Sequence, residues 1–452
     1  MTEEIELHPP EGLLEVAEGL ESGGHEAWAV GGAVRDELLG ETRADWDLAT
    51  DARPDEVRRI FRRTVPIGVE HGTVGVLASD DVMYEVTTFR LDVETDGRHA
   101  VVEFAEDIED DLGRRDFTIN ALAWRPVTGE LRDPYGGRED LQRNLLRAVG
   151  DPDTRFAEDH LRVLRGLRFA GRYRMEIAPP TRDALEEAAP LTGDLSAERI
   201  REELMKVLRD RRPSDALRLY REYGVLEVWY PRLHEAAEHD PRWELNLAAV
   251  DSIPRRRELL RLARWLVPLS EEGEERAERA RELCRRLKFS NAARERVATL
   301  LEHLDRIPGP TDSDARIRSW LSEVGEEHVR DLFRLHFAGI RSARAEERGR
   351  MLVHVWRRVH RELLAGSPLD VTELAVSGRD LMELGVEEGP YVGLLLDELH
   401  AQVLENPELN NREDLLEVAG ELIELGYLRG PGDGEGPDAG NGPDLRVIEG
   451  DA

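Results

Sequence analysis

The chain of 452 residues holds one cysteine, Cys284, which excludes a disulfide framework and a cysteine-built zinc centre. Lysine is almost absent too. Lys206 and Lys288 are the only two, so the other 60 basic residues are arginines. No run approaches the roughly 18 consecutive apolar residues that a membrane-spanning helix needs. The opening MTEEIELHPPEGLLEVAEGL is acidic where a secretory signal is basic and then apolar, so the expected setting is the cytoplasm, with no membrane partner. Strand signals become scarce after about residue 155.

Acid is what the chain has in excess: its formal net charge is −33. A dense carboxylate surface stays solvated in strong salt, so the composition fits a halophilic cytoplasm; an ordinary acidic protein is the alternative. The charge is uneven. Residues 155–221 carry 15 basic and 12 acidic side chains, whereas 431–452 (PGDGEGPDAGNGPDLRVIEGDA) carry six acids and one arginine and read as a disordered acidic tail. A polyanion would therefore meet the middle of the chain rather than its end. The length is too great for one core, and roughly two to four domains are expected.

Residues 1–150 mix strand and helix signals. AWAV (27–30) reads as a strand, followed by Gly31-Gly32 and a helix closed by Gly40. DWDLAT is a second strand, and Pro54 can begin a helix over PDEVRRIFRR. HGTVGVLA (71–78) and VMYEVTTF (82–89) alternate at period two around Ser79-Asp80-Asp81, a hairpin signal. The rest is helical. The fold class is α+β: a small mixed head followed by a long all-helical body.

Two acids stand one residue apart in RADWDLAT (43–50). On a strand, residues i and i+2 share a face, roughly 6.6 Å apart. Asp45 and Asp47 then point one way while Trp46 and Leu48 enter a core. Carboxylates so placed can hold Mg²⁺ ions about 3.5–4 Å apart. Glu85 lies on the face opposite Tyr84 and Val86 and adds a third carboxylate if the strands are neighbours. Taken alone, the pattern is common and favours a plain pair of acids at a strand edge. Upstream, Gly31-Gly32 joins a strand to a helix, where backbone N–H groups can face a phosphate, and Arg35 lies one turn in. A tight turn requiring glycine is the plainer explanation.

Together with GRRDFTINALAW (113–124), DPYGGREDL (133–141), RFAEDHLRVLRGLRFAGR (155–172) and LSAERIREEL (195–204), AVGGAVRD and RADWDLAT resemble the class II CCA-adding tRNA nucleotidyltransferases. That family includes bacterial poly(A) polymerases and belongs to the polymerase-β-like superfamily. The resemblance covers roughly residues 25–232, and VSGRDLMELGVEEGP (376–390) is similar to the family's tail. It implies a nucleotidyltransferase head over 1–150, a neck over 151–232 that reads the nucleobase, a body over 233–365 and an RNA-binding tail over 366–430. It implies attack of an RNA 3′-hydroxyl on the α-phosphate of CTP or ATP with Mg²⁺, releasing pyrophosphate, and tRNA as partner. Asp45 and Asp47 would hold metal, with Glu85 as a third catalytic carboxylate. Gly32 and Arg35 would meet the triphosphate, and Arg115 and Asp116 the sugar or phosphate. Phe117 and Ile119 read as core.

In EDHLRVLRGLRFAGR, Asp159, Arg162, Arg165 and Arg168 recur every third residue, near one side of a helix, with Leu161, Leu164 and Leu167 as its packing stripe. A salt-bridged surface helix is one explanation. The other is nucleotide binding. Cytosine and adenine both present an amine donor beside a ring-nitrogen acceptor, whereas guanine and uracil present a carbonyl beside an N–H. An acceptor at Asp159 and a donor fork at Arg162 match the first pair and repel the second. The tip ETDGRH within LDVETDGRHAVVEF (91–104) reads as a loop, which the family links to the switch from C to A. Some family members carry an HD phosphohydrolase domain; here His239-Asp240 stands in a polar, loop-like stretch and reads as no second active site. Poly(A) polymerase, a CC-only or A-only enzyme, and an inactive RNA-binding protein remain alternatives. The acidic C-terminus counts against the first, and intact Asp45 and Asp47 count against the last.

Overall fold

The computed structural model describes residues 3–4, 6–41, 45–68, 72–95, 100–425 and 427. Of the tip ETDGRH (94–99), Glu94 and Thr95 end a strand instead of opening a loop, and residues 96–99, like the tail 431–452, lie outside the described residues. The chain divides into two compact units, one of residues 1–304 with 334–345 and one of 305–333 with 346 onward.

The first unit opens with β1 (Glu3–Glu4), α1 (Glu11–Ser22), β2 (Ala27–Val30), α2 (Gly32–Leu38), β3 (Asp47–Thr50) and α3 (Pro54–Ile60). There follow β4 (Thr64–Gly68), β5 (Thr73–Leu77), β6 (Met83–Thr88), the pair β7 (Arg90–Thr95) and β8 (Ala100–Phe104), α4 (Ile108–Gly113), β9 (Ala123–Trp124), β10 (Glu130–Arg132) and α5 (Gly137–Gln142). Eight strands form one mixed sheet in the order β1-β10-β9-β2-β3-β6-β5-β4. Among the described residues of this sheet, β3 and β6 are the parallel neighbours; α3 and the β4–β5 hairpin supply the crossover a parallel pair requires. All four residues of AWAV are buried, as fits a central strand covered on both faces. The β5–β6 turn falls at Ser79–Asp81, where Asp81 takes φ 59°.

Two local expectations need correction. The strand of RADWDLAT begins at Asp47, so Asp45 precedes it in exposed, irregular chain, although Trp46 and Leu48 are buried as expected. Helix α3 stops at Ile60 instead of running through Arg63. Phe61 turns extended, its ring lying where a side chain on Gly19 of α1 would have to go, and the chain feeds into β4.

Beyond the sheet come α6 (Pro152–Glu158), α7 (Leu161–Tyr173), α8 (Pro179–Ala188), α9 (Ala197–Arg209) and α10 (Pro213–Glu222). Their starts follow from sequence. Asp151 caps α6 by accepting from the Thr154 N–H at 3.1 Å, with Pro152 at the first helical position. Ser196 caps α9 in the same manner. Gly171 lets α10 lie directly on α7: a Cβ there would fall 2.4 Å from the backbone nitrogen of Ala216. Alanine should gain about 1 kcal/mol of helix propensity yet lose more by overpacking, typically about 1–3 kcal/mol. Gly171→Ala is therefore expected to lower the Tm, which thermal unfolding followed by circular dichroism would show.

The second unit packs Asp314–Val324, Glu346–Ala365, Pro390–Glu405 and Arg412–Glu424. Leu381, Leu395, Leu399, Val403, Leu415 and Ala419 form part of its core. Arg318 is buried there. It donates to the carbonyls of Leu404 (2.6 Å) and Glu405 (2.8 Å), which end a helix, and to Glu362 at 2.9 Å.

Candidate active site

A cleft of about 540 Å³ opens over β2, β3 and β6, bounded by α2, α7 and the loop after α4. The parallel register sets Leu48 beside Val86 and Ala49 beside Thr87, so Asp47 and Glu85 meet at the same end of their strands. Both line the cleft. Asp47 is exposed where it borders the cleft. Partial desolvation by the surrounding protein, followed by the Glu85 charge, still pushes its carboxyl up to about 6 against the opposing pull of Arg115. Asp45 adds a smaller push and is absent from the lining. Among the described residues no three His, Cys, Asp or Glu side chains converge as a ready-made ion site. The observed unit is thus a carboxylate pair, Asp47 and Glu85, with Asp45 outside. Two anions held together at such cost suit a hard divalent cation, and Mg²⁺ is commonly held by one or two carboxylates plus substrate phosphates.

The glycine turn carries the phosphate side. Gly31 takes φ 71°, and a Cβ on it would stand 2.7 Å from Nη1 of Arg115. Gly32 then opens α2. Arg35 is buried and held in place: it pairs with Asp36 at 2.7 Å, donates to the Asn120 side-chain oxygen, and lies 5.1 Å over Phe169 and 4.8 Å over Tyr173. Arg115 is held by Asp111 at 3.0 Å.

Asp116 is buried. It accepts from the Phe117 N–H and the Asn120 amide, both at 2.8 Å, and from Arg165 at 2.7 Å. Burial alone would push its carboxyl up; the Arg165 guanidinium and the hydrogen bonds outweigh that and hold it at about 2. A depressed carboxylate stabilises the fold above its unfolded value near 4, and that contribution is lost as pH falls towards 2. Arg165→Ala leaves Asp116 buried without its cation. The acid-unfolding midpoint is expected to move to higher pH, with neutral-pH stability falling by about 2 kcal/mol, as an acid titration followed by circular dichroism would measure.

The expected stripe is split between two elements. Arg162, Arg165 and Arg168 lie on α7, but Asp159 ends α6 with extended backbone (φ −156°). Asp159 accepts from the Leu161 N–H at 3.0 Å and from Arg199 of α9 at 2.7 Å. Arg162 donates to the carbonyls of Arg155 (2.9 Å) and Arg114 (3.0 Å) and pairs with Glu158. Arg168 pairs with buried Glu203 at 2.7 Å and lies 4.3 Å over Phe169. All four line the cleft with Gly32, Arg35, Arg115 and Asp116. Phe117, Ile119, Leu164 and Leu167 are buried; Leu161 is half-buried at the cleft instead of joining the packing stripe. The sequence patterns do not single out Asn120, Asp111, Phe169 or Arg199. Asn120 stands within RRDFTINA, a motif the sequence does show, while Arg199 is brought in only by the fold.

Elsewhere, His239 closes the helix Pro231–His239 instead of standing in a loop, and Asp240 accepts from Arg242 at 3.0 Å. Cys284 is buried, and that burial pushes its thiol up to about 12, so it packs as an apolar group.

Three family models match the chain: the poly A polymerase head domain over 27–147, the "probable RNA and SrmB-binding site of polymerase A" over 174–237, and tRNA nucleotidyltransferase domain 2 over 273–419. A CCA-adding enzyme of Geobacillus thermodenitrificans is 35% identical over 90% of this chain and 96% of its own length. The chain belongs to the CCA-adding enzyme family. An Enterococcus faecalis member is also 35% identical, over 88% of this chain and 92% of its own. The crystal structure of the Bacillus stearothermophilus CCA-adding enzyme in complex with CTP is 30% identical, covers 92% of this chain and 98% of that one, and superposes with a TM-score of 0.74. The mixed-sheet head and helical body are thus those of the family. Among the described residues, no helix is long and apolar enough to cross a membrane.

Proposed function

We infer that this chain adds C, C and A to the 3′ end of tRNA from CTP and ATP without a nucleic-acid template, in the cytoplasm. The observation that carries the reading is one cleft holding the Asp47–Glu85 pair, the Gly32–Arg35 turn and the Asp159–Arg162 face. The RNA 3′-oxygen bonds to the α-phosphorus, its proton passes to water, and the bond to the β-phosphate breaks to release pyrophosphate. Asp47 and Glu85, with Asp45 at the strand entrance, would hold Mg²⁺, whose chemistry there is to acidify the 3′-hydroxyl and neutralise the triphosphate. Arg35 and the Gly32 backbone bind the phosphates. Arg35 is already aimed by Asp36, Asn120 and two aromatic rings, so it loses little freedom on binding. Arg115 and Asp116 shape the sugar side, Arg165 and Arg168 fix the wall, and Asp159 and Arg162 read the base edge.

The test is primer dependence. With tRNA lacking its last three nucleotides, CTP alone should add two residues, and a third should require ATP. Extension of any unstructured RNA by ATP alone would overturn the reading in favour of a poly(A) polymerase.

A further inference from the structure

Tyr173 closes α7 just beyond the last motif of the cleft, and its hydroxyl donates to Asp36 of α2 at 2.6 Å across 137 residues of sequence. Asp36 is 0% exposed. The same carboxylate oxygen accepts from Nε of Arg35 at 2.8 Å and lies 2.7 Å from Nη2 of that arginine. Arg172 stands farther off, 3.7 Å from the other oxygen. Neighbouring residues on a helix point about 100° apart and do not face each other, so Arg35 and Asp36 meet only when the carboxylate is held to one side. The tyrosine hydroxyl holds it. Burial pushes that hydroxyl above its ordinary value, so it stays a neutral donor. It anchors Asp36 without adding a second close cation that would draw the carboxylate away from Arg35.

The mount is firm. Gly171 lets α7 lie directly on α10, which fixes the end of α7 beside Tyr173. The Tyr173 ring stacks on Phe169 with centroids 6.3 Å apart and planes at 21°, and Arg35 lies over both rings. Arg162, assigned above to the base edge, stands on the same helix about 16 Å back along its axis. One helix therefore carries a base-reading residue near its start and, at its end, the anchor of an arginine on the phosphate side.

We propose that Tyr173 is a positioning residue for the triphosphate: acting through Asp36, its hydroxyl holds Arg35 where the phosphates bind and sets that point at a fixed distance from the base-reading end of α7. The proposal rests on the assignment of Arg35 to the triphosphate made above. It predicts an effect on the phosphates, shared by CTP and ATP, because the hydroxyl touches neither Asp159 nor Arg162.

Tyr173→Phe removes the hydroxyl and keeps the ring, so the stacking survives. Kd values for CTP, ATP and CMP are measured by calorimetry on the full chain without RNA. CTP and ATP should bind about fivefold to tenfold more weakly, somewhat less than a directly lost hydrogen bond to a charged group costs, because the effect passes through Asp36. CMP affinity should stay within about twofold of wild type, since CMP lacks the β- and γ-phosphates. Equal weakening of CMP and CTP would mark a general structural loss and overturn the proposal, as would an unchanged CTP affinity. The route is tested with Asp36→Asn. In that background Tyr173→Phe should weaken CTP binding less than it does alone; losses that simply multiply would show a hydroxyl acting independently of Asp36, and would also overturn the proposal. Arg35→Ala separates the two assignments. If it leaves the ratio of CTP to CMP affinity unchanged, the assignment of Arg35 fails and the proposal with it. If Arg35→Ala lowers that ratio and Tyr173→Phe does not, the positioning role of Tyr173 fails alone.

Discussion

Asp47→Ala is expected to cut nucleotide incorporation by about three decades, roughly 4 kcal/mol of transition-state stabilisation, with tRNA affinity nearly unchanged. Asp47 faces the cleft beside Glu85, where it would hold metal rather than RNA, so its loss should appear in kcat. Glu85→Ala should follow it, because either carboxylate alone is an incomplete ligand set. Asp45→Ala is expected to lose activity too, since its charge already reaches Asp47. Stability should move the other way. Asp47 is held above its ordinary value by partial desolvation and by Glu85, so its ionised form destabilises the fold near neutral pH. Without divalent ions, Asp47→Ala should melt no earlier than wild type. Single-turnover incorporation, filter binding and a melt separate the three effects. Wild-type turnover in the alanine variant would contradict the catalytic placement of β3.

Asp159→Ala is expected to raise the use of UTP and GTP relative to CTP and ATP by about one to two decades. The repulsion between a carboxylate and a base carbonyl in a shielded site is worth roughly 1–3 kcal/mol, and alanine removes it. Arg162→Ala should cost more total rate, because Arg162 also ties the Arg114 carbonyl to the neck and balances Glu158. Arg199 adds a gradation. It holds one Asp159 oxygen while the Leu161 N–H holds the other, so Arg199→Ala should loosen selectivity less than removing the carboxylate. The measurement is kcat/KM for all four NTPs on one tRNA. Unchanged preference with reduced rate in both the Asp159 and Arg162 variants would make them structural residues only.

What could be read from the sequence follows from what is local. Period-two alternation placed Glu85 opposite Tyr84, and the acids of DWDLAT opposite Trp46 and Leu48. Alternation says nothing about which strands adjoin, so the parallel pairing of β3 with β6 waited on the fold. The every-third spacing of Asp159, Arg162, Arg165 and Arg168 suggested one helix. No glycine or proline announces the break at Asp159, yet the aspartate itself was a signal, because an Asp two residues before a helix start can accept its first N–H groups. The partners that tune the site arrive from far along the chain. Asn120 reaches Arg35 and Arg199 reaches Asp159 across separations that no periodicity encodes. Helix α3 shows the same limit at small scale: its pattern continues through Arg63, but packing of Phe61 against α1 ends it.

On the proposed function, one protein cleft selects C and then A without a nucleic-acid template. The most direct measurement offers the wild-type protein tRNA lacking its last three nucleotides together with all four NTPs at equal concentration, and sequences the 3′ ends. Ends in CCA should dominate, with uridine and guanosine rare at each position and no further extension. Frequent uridine or guanosine, or a homopolymeric A tail, would contradict it.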